Sequence, residues 1–208
     1  MANSGQSHVM KWAFRGLVAA MLVLVLPIAT GIARETYLQL AHRLVEASQP
    51  DATFRSDLET YLATAITRYR KENGRSGLAL TSANRLGARA HAMDMAQGAF
   101  VSHVASTGQG FDSRMRALHD GAMFLPNMGE NAARDRSSGE ANQSRAQKII
   151  VQWINSASHR QLMSSKSFTQ VSIGVVQKGN HLYAVAIFSG PAVKTNAKRA
   201  GKTVSGFY

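Results

Sequence analysis

Two histidines and one glutamate stand in short polar stretches and form the set of residues best suited to chemistry. His103 ends the stretch 100–103, while Glu130 and His159 lie in later stretches. We expect all three in loops or at helix ends. If the fold brings them together, neutral imidazoles suit zinc or another divalent ion, and the carboxylate can bind the ion or orient an imidazole or water. The same trio could act as general acid and base, because imidazole titrates near neutral pH.

Spacing alone does not choose between these chemistries. The sequence contains no HExxH, paired-aspartate or GxSxG pattern. It also contains no cysteine, which excludes a disulfide framework, a thiolate-ligated zinc or iron–sulfur site, and a cysteine nucleophile. A single histidine is more often structural or exposed than functional, so the elements that position these three residues decide how they are interpreted.

Helical periodicity predicts the elements in the first two thirds of the chain. Helices are expected over 35–48, 56–73, 82–97, 111–118 and 144–155. At the start of the second helix, Ser56 and Glu59 fit a capping box, in which each side chain bonds the backbone amide of the other residue. Ser82 is the expected N-cap of the third helix.

Period-two alternation predicts a β-hairpin near the end of the chain. Val171, Ile173 and Val175 alternate with smaller or polar residues, and a turn at 178–180 precedes an apolar run over 182–188. Helices followed by a hairpin indicate an α+β domain with helices packed over a small sheet.

Residues 1–33 have the pattern of an export signal. Lys11 and Arg15 precede an uncharged stretch over 16–33, with small residues before a cut after Ala33. An uncleaved single-pass anchor is the alternative, with membrane contact through 16–33, because about 18 residues reach the lower limit for spanning a bilayer. We therefore expect an exported protein, either periplasmic or secreted, or anchored with its domain outside the cytoplasm.

The charge of the chain suggests an anionic partner. The 208 residues include 24 Lys and Arg against 12 Asp and Glu, a formal net charge of +12. Because an exported protein does not meet genomic nucleic acid, we do not expect genomic nucleic acid to be this partner. Half of the excess lies in the leader and in a basic tail expected to be flexible. The expected organisation is a leader over 1–33, a helical stem over 34–55, a folded domain over 56–190 and the tail over 191–208.

Several motifs occur in a fixed order between Leu62 and Gly190. They are RKENG at 70–74, ARAHAMDM at 88–95, FVSH at 100–103, GENAA at 129–133 and the stretch 153–160. In this order they resemble the CAP superfamily of cysteine-rich secretory, antigen five and pathogenesis-related proteins. The resemblance is strongest to the bacterial branch, whose members are called SCP-like.

The resemblance implies an α–β–α sandwich, with helices flanking a small antiparallel sheet, and a surface cleft. The two cleft histidines of the family correspond to His103 and His159, and its acid corresponds to Glu130. Ser156 stands where many eukaryotic members have a second acid, which leaves less negative charge to hold a cation. Several members bind zinc or another divalent ion, so the implied metal ligands are His103 and His159, with Glu130 as a third candidate.

Neighbouring residues complete the expected cleft. Asn131 is expected to secure a turn, and Trp153 to be a core anchor below the cleft. Arg160 has two interpretations, an anion-binding residue or a surface ion pair. His91 and His119 lie outside the matched site residues and are expected at the surface.

Three functions are consistent with this cleft. The first is a binding module for an envelope ligand, such as a lipid or an anionic polymer. The second is a metal-dependent or His/Glu hydrolase, in which Glu130, His103 and His159 are the catalytic candidates. The third is a basic surface adhesin for anionic polymers. The lack of a dedicated nucleophile, and Ser156 in place of the second acid, favour binding over catalysis.

Overall fold

The part of the chain that can be described is the folded domain and its immediate flanks. The computed structural model describes Met1, residues 35–47, 49–120 and 127–191, and the backbone of Val204–Ser205. The leader predicted over 1–33 and most of the tail lie outside the described residues. Arg34–Tyr208 forms one compact unit, so the segment predicted as a stem belongs to the same unit as the domain. None of the described helices has the length and apolar character needed to cross a membrane.

The described residues form six helices and six strands. The helices are α1 Tyr37–Glu46, α2 Ser56–Glu72, α3 Arg85–Gly98, α4 Phe111–Leu118, α5 Gln143–Asn155 and α6 Ala157–Ser164. The strands are β1 Ala52–Phe54, β2 Ala79–Leu80, β3 Met128–Asp135, β4 Gln170–Lys178, β5 His181–Ser189 and β6 Val204–Ser205. The helices predicted from periodicity are present, with bounds that move by a few residues.

The strands form one sheet with the order β1-β4-β5-β3-β6. The first four strands in this order are antiparallel to their neighbours, and the predicted hairpin is confirmed as β4 and β5. The two-residue strands β2 and β6 pair in parallel with β4 and β3, respectively. β6 lies beside Gly129 and Glu130.

Helices cover both faces of this sheet. One apolar cluster packs α2, α5 and α6 against the sheet, and a second packs α1, α3 and α4. Because strand side chains alternate between faces, Ala133 joins the first cluster while its neighbour Ala132 joins the second. The expected α+β class and α–β–α sandwich are therefore confirmed.

The capping prediction at the start of α2 is wrong. Arg55 is the N-cap and makes no side-chain capping bond. Glu59 is buried, and its carboxylate instead accepts hydrogen bonds from Arg85 at 2.7 Å and from Arg89 at 2.8 Å. Two guanidinium groups stabilise a buried carboxylate better than one neutral amide does, so the contact with α3 replaces the local cap. Ser56 accepts from Arg89 as well.

Three further local features differ from expectation. The N-cap of α3 is Asn84 rather than Ser82, without a side-chain capping bond. The stretch around Glu130 forms the strand β3 instead of a loop, and α6 follows α5 after a single residue, Ser156. A capping box does occur in α1, where Thr36 and Gln39 bond each other's backbone amides.

A glycine allows α3 to lie directly on the sheet. A Cβ added at Gly174 in β4 would lie 2.4 Å from the backbone carbonyl carbon and oxygen of Ala88 in α3. The helix backbone and the strand backbone are thus in contact, and this contact fixes the height of α3 above the sheet. The loop that carries His103 follows α3 directly.

We predict that Gly174→Ala lowers the free energy of unfolding by about 1–3 kcal/mol or more, because α3 must move away from β4. Urea denaturation measures this loss. Gly110→Ala is the matched control, since a Cβ there meets no atom within 4 Å. Equal stability of the two variants would contradict the close contact.

Candidate functional site

The structure brings the three predicted residues together around the strand β3. His103 lies in the loop after α3, Glu130 lies in β3, and His159 lies in the first turn of α6. Nδ1 of His103 is 2.9 Å from Oε1 of Glu130. The rings of His103 and His159 have centroids 6.3 Å apart and planes inclined by 59°.

The two histidines reach β3 from opposite faces of the sheet. Glu130 contacts the His103 loop on the face of α3 and α4, whereas Asn131 donates to the backbone oxygen of His159 at 3.2 Å on the other face. Consecutive strand residues point to opposite faces, so this adjacent pair holds both sides of the site. The expectation that Asn131 secures a turn is wrong, because it lies within β3.

The Glu130 carboxylate is completely buried and is paired with a buried arginine. Nη2 of Arg114, from α4, donates to both carboxylate oxygens at 2.8 Å, and both side chains have zero exposure. Burial by itself would raise the pKa of Glu130, but Arg114, followed by His91 and His103, lowers it to about 2. Glu130 is therefore ionised throughout the physiological pH range.

This ionised carboxylate fixes the tautomer of His103. A carboxylate without a proton can only accept hydrogen bonds, so Nδ1 of His103 must donate to it. The lone pair of the neutral imidazole is then on Nε2, on the far side of the ring from Glu130. The same carboxylate–imidazole arrangement orients histidines that ligate metals.

His159 is held in its neutral form. Burial lowers its pKa, and the nearby His103 lowers it further. The His159 imidazole is therefore neutral at pH 7, with its ring centroid 6.3 Å from that of His103. Ser156 precedes the same helix, with its Oγ 3.2 Å from Oγ of Ser158. Ser156 thus leaves this side of the site without the negative charge that a second acid would supply.

Buried polar residues anchor the loop that carries His103. Nε2 of His91 donates to the backbone oxygen of Ser102 at 2.6 Å. Asp94 accepts from the amide and the hydroxyl of Ser106 at 2.8 and 2.5 Å, respectively. The prediction that His91 lies at the surface is wrong, since its exposure is zero and it lies 3.9 Å from Glu130.

The remaining predicted residues have mixed outcomes. Trp153 is completely buried, which confirms its place in the core. Arg160 is exposed and donates to the backbone oxygen of Ile154 at 2.6 Å, a contact that neither interpretation anticipated. His119 is half-buried, with Nε2 2.9 Å from Oδ1 of Asn84, so the surface prediction is wrong for it as well.

Comparison with protein families decides the relationship that the motifs indicated. The model of the cysteine-rich secretory protein family, CAP, matches residues 63–189, which is more than half of the chain. The chain belongs to the CAP family. His103, Glu130 and His159 all lie within the matched residues, whereas α1 and β1 of this CAP protein lie outside them. A search of curated proteins gave no match.

Solved bacterial structures share the fold. An extracellular protein with an SCP domain from Bacillus anthracis is 21% identical, with a TM-score of 0.52 over 65% of this chain. This chain spans only 41% of that protein. An outer surface protein of Borrelia burgdorferi is 15% identical, with a TM-score of 0.56 over 67% of this chain and 98% of its own length. At these identities the comparisons show the α–β–α fold alone.

The donors at the CAP site suit a cation held by two imidazoles. His103 and His159 supply nitrogen ligands of the kind that zinc prefers. Both oxygens of Glu130 bond Arg114, so Glu130 supports His103 and is not placed as a ligand. Within residues 35–47, 49–120 and 127–191, no group of three or more His, Cys, Asp or Glu is arranged to hold a metal ion.

We predict that the protonation of His91 makes the protein unstable in mild acid. Burial lowers the pKa of His91 from 6.5 to about 4, with a further contribution from Arg114. The unfolded chain therefore takes up this proton first, and the stability contributed by neutral His91 is lost as pH falls from 6.5 to 4. The loss amounts to about 3 kcal/mol.

Urea denaturation at several pH values measures this dependence. His91→Gln should flatten the stability profile between pH 6.5 and 4, the interval between the two pKa values. His42→Gln is the control, because His42 is an exposed histidine of α1. A profile of His91→Gln as steep as that of the unmodified protein would contradict the assignment.

Proposed function

We propose that this CAP protein is an exported protein of the cell envelope that binds a ligand through a divalent cation held by His103 and His159. The observation that carries the proposal is the contact between ionised, buried Glu130 and Nδ1 of His103 at 2.9 Å. That contact places the His103 lone pair on Nε2, away from Glu130. His159, with its lowered pKa, offers a neutral imidazole beside His103.

Each residue has a separate task in this proposal. His103 and His159 would hold the cation, Glu130 would orient His103, and Arg114 would keep Glu130 ionised. The cation, when bound, would attract an oxygen ligand as a Lewis acid. Carboxylate and phosphate oxygens suit this role, and both anionic polymers and lipid headgroups of the envelope carry them. The net charge of +12 on the chain favours such ligands.

Export rests on the leader and on the named relatives. Residues 1–33 combine two basic residues with an uncharged apolar stretch, the composition of an export signal. The B. anthracis relative is described as extracellular and the B. burgdorferi relative as an outer surface protein. These descriptions support the same location for this chain.

The state of Glu130 favours binding over hydrolysis. A general base works best when its pKa lies near the working pH, whereas the pKa of Glu130 is lowered to about 2. Both of its oxygens also bond Arg114 at 2.8 Å. Such a carboxylate is a poor activator of water. Turnover that is lost in a folded Glu130→Gln variant would contradict the binding assignment.

We predict that the purified protein binds zinc and that removal of either imidazole weakens this binding. Titration calorimetry of the unmodified protein, His103→Ala and His159→Ala measures the effect. Loss of one of two protein ligands should lower the affinity by at least about tenfold, the lower range found even for supporting residues of metal sites.

His42→Ala is the matched control, because it removes an exposed histidine that belongs to α1. Its zinc affinity should equal that of the unmodified protein. Equal zinc uptake by the unmodified protein and the double variant His103→Ala/His159→Ala would contradict the site.

The leader gives a separate prediction about location. Protein recovered from the envelope of the native cells should begin at Arg34 if the leader is cut after Ala33. Amino-terminal sequencing determines this, and a retained leader in the same fraction would indicate the single-pass anchor. Recovery of the protein only from the cytoplasm would contradict export.

A further inference from the structure

Helix α1 lies before the matched CAP residues but packs tightly on the domain. Its buried side chains belong to the apolar cluster formed with α3 and α4. They are Tyr37, Leu40, Ala41 and Leu44. The hydrogen bonds and ion pairs recorded for its polar side chains stay within the helix and its first flanking residues, as between Arg43 and Glu35. Apolar contact and the Tyr37 ring therefore account for its docking.

The Tyr37 ring lies against the arginine that neutralises Glu130. The guanidinium carbon of Arg114 is 5.8 Å from the centroid of Tyr37 and 5.6 Å from that of Phe111. Both distances fall within the range of about 6 Å for attraction between a cation and an aromatic ring. Such contacts are strongest away from water, and Arg114 has zero exposure.

Hydrogen bonds hold only one of the three guanidinium nitrogens of Arg114 among the described residues. Nη2 alone bonds both oxygens of Glu130, and it also reaches the backbone oxygen of His103 at 3.3 Å. Nε and Nη1 have no hydrogen-bond partner among the described residues. The aromatic rings of Tyr37 and Phe111 flank this remainder of the buried cation.

Within the Tyr37 side chain, the ring makes the defined contact with Arg114, and the hydroxyl lies nearby. The hydroxyl is buried and meets no partner in hydrogen-bond geometry within the described residues. Burial raises the pKa of Tyr37, whereas the charge of Arg114 and a polar contact with its guanidinium, which falls short of hydrogen-bond geometry, oppose that rise. Replacing Tyr37 by phenylalanine therefore separates the contribution of the ring from that of the hydroxyl.

We propose that Tyr37 is a positioning residue of the His103–His159 site, which it controls through Arg114 and Glu130. Helix α1 is then a part of the site, although it lies outside the CAP match. The effect on cation binding rests on the function proposed above, whereas the effect on the His103 tautomer does not. When the ring is absent, Arg114 keeps only the Phe111 ring beside its guanidinium, so its position against Glu130 is less fixed, and Nδ1 of His103 loses its fixed acceptor.

The test compares three variants of the full chain. Tyr37→Leu removes the ring and keeps an apolar side chain, whereas Tyr37→Phe keeps the ring and removes the hydroxyl. Leu44→Ala is the matched control, because it removes apolar burial from the same helix about two turns away from Tyr37. Nitrogen-15 chemical shifts of the His103 imidazole report its tautomer without any metal, and calorimetry reports the zinc affinity.

We expect Tyr37→Phe to keep the unmodified tautomer, with the proton on Nδ1. Tyr37→Leu should give a mixture of tautomers and lower the zinc affinity by about tenfold, as the loss of supporting residues does at metal sites. Leu44→Ala should lower the melting temperature and leave the His103 shifts unchanged.

Two results would overturn the proposal. One is a Tyr37→Leu variant that keeps the unmodified His103 shifts. The other is a Leu44→Ala variant that changes them as much as Tyr37→Leu does, because the effect would then belong to helix packing in general. If the unmodified protein binds no zinc, the proposed function fails, while the nitrogen shifts still decide the role of Tyr37.

Discussion

The buried ion pair between Glu130 and Arg114 is the interaction on which the rest of the site depends. A carboxylate with zero exposure needs a counter-charge, since an isolated ion in the protein interior is very costly. Arg114 supplies that charge from α4, and the ionised Glu130 then orients His103. A buried pair of this kind contributes little net stability compared with apolar residues. We therefore interpret its value as orientation of the imidazole.

The sheet explains why the site lies where it does. β3 presents Glu130 to one helical layer and Asn131 to the other, so residues from both layers meet at this strand. Gly174 keeps α3 in direct contact with the sheet on one face, and this sets the starting position of the His103 loop. His91 and Asp94 then hold that loop from the helix itself. Packing and polar anchoring thus act on the same loop.

Much of this fold follows from local patterns in the sequence. The apolar stripes of the helices, the alternation in β4 and the apolar run in β5 predicted those elements. β3 was missed, since MGENAARD is buried along almost its whole length and shows no alternation. The capping box failed for a different reason. The Glu59 carboxylate bonds Arg85 and Arg89 of α3 instead of a backbone amide of its own helix. The residues next to Glu59 in the sequence do not predict such long-range contacts.

The site itself was predicted only in part. The motifs identified His103, Glu130 and His159, but nothing in the local sequence distinguishes Arg114 from exposed arginines. Only the fold shows the burial of Arg114 against Glu130. His91 likewise lies in a helix among small residues, and this pattern does not tell whether its side chain is buried or exposed. The partners that decide their roles lie far away in the sequence.

The position of α1 also bears on where this domain begins as a folding unit. A recombinant fragment trimmed to the family limits, 63–189, would lack Tyr37 and Glu59 together with the apolar face of α1. Its second hydrophobic cluster would be open to solvent, and such an exposed surface favours self-association. Low solubility of that fragment would then reflect the choice of limits rather than an intrinsic property of the protein.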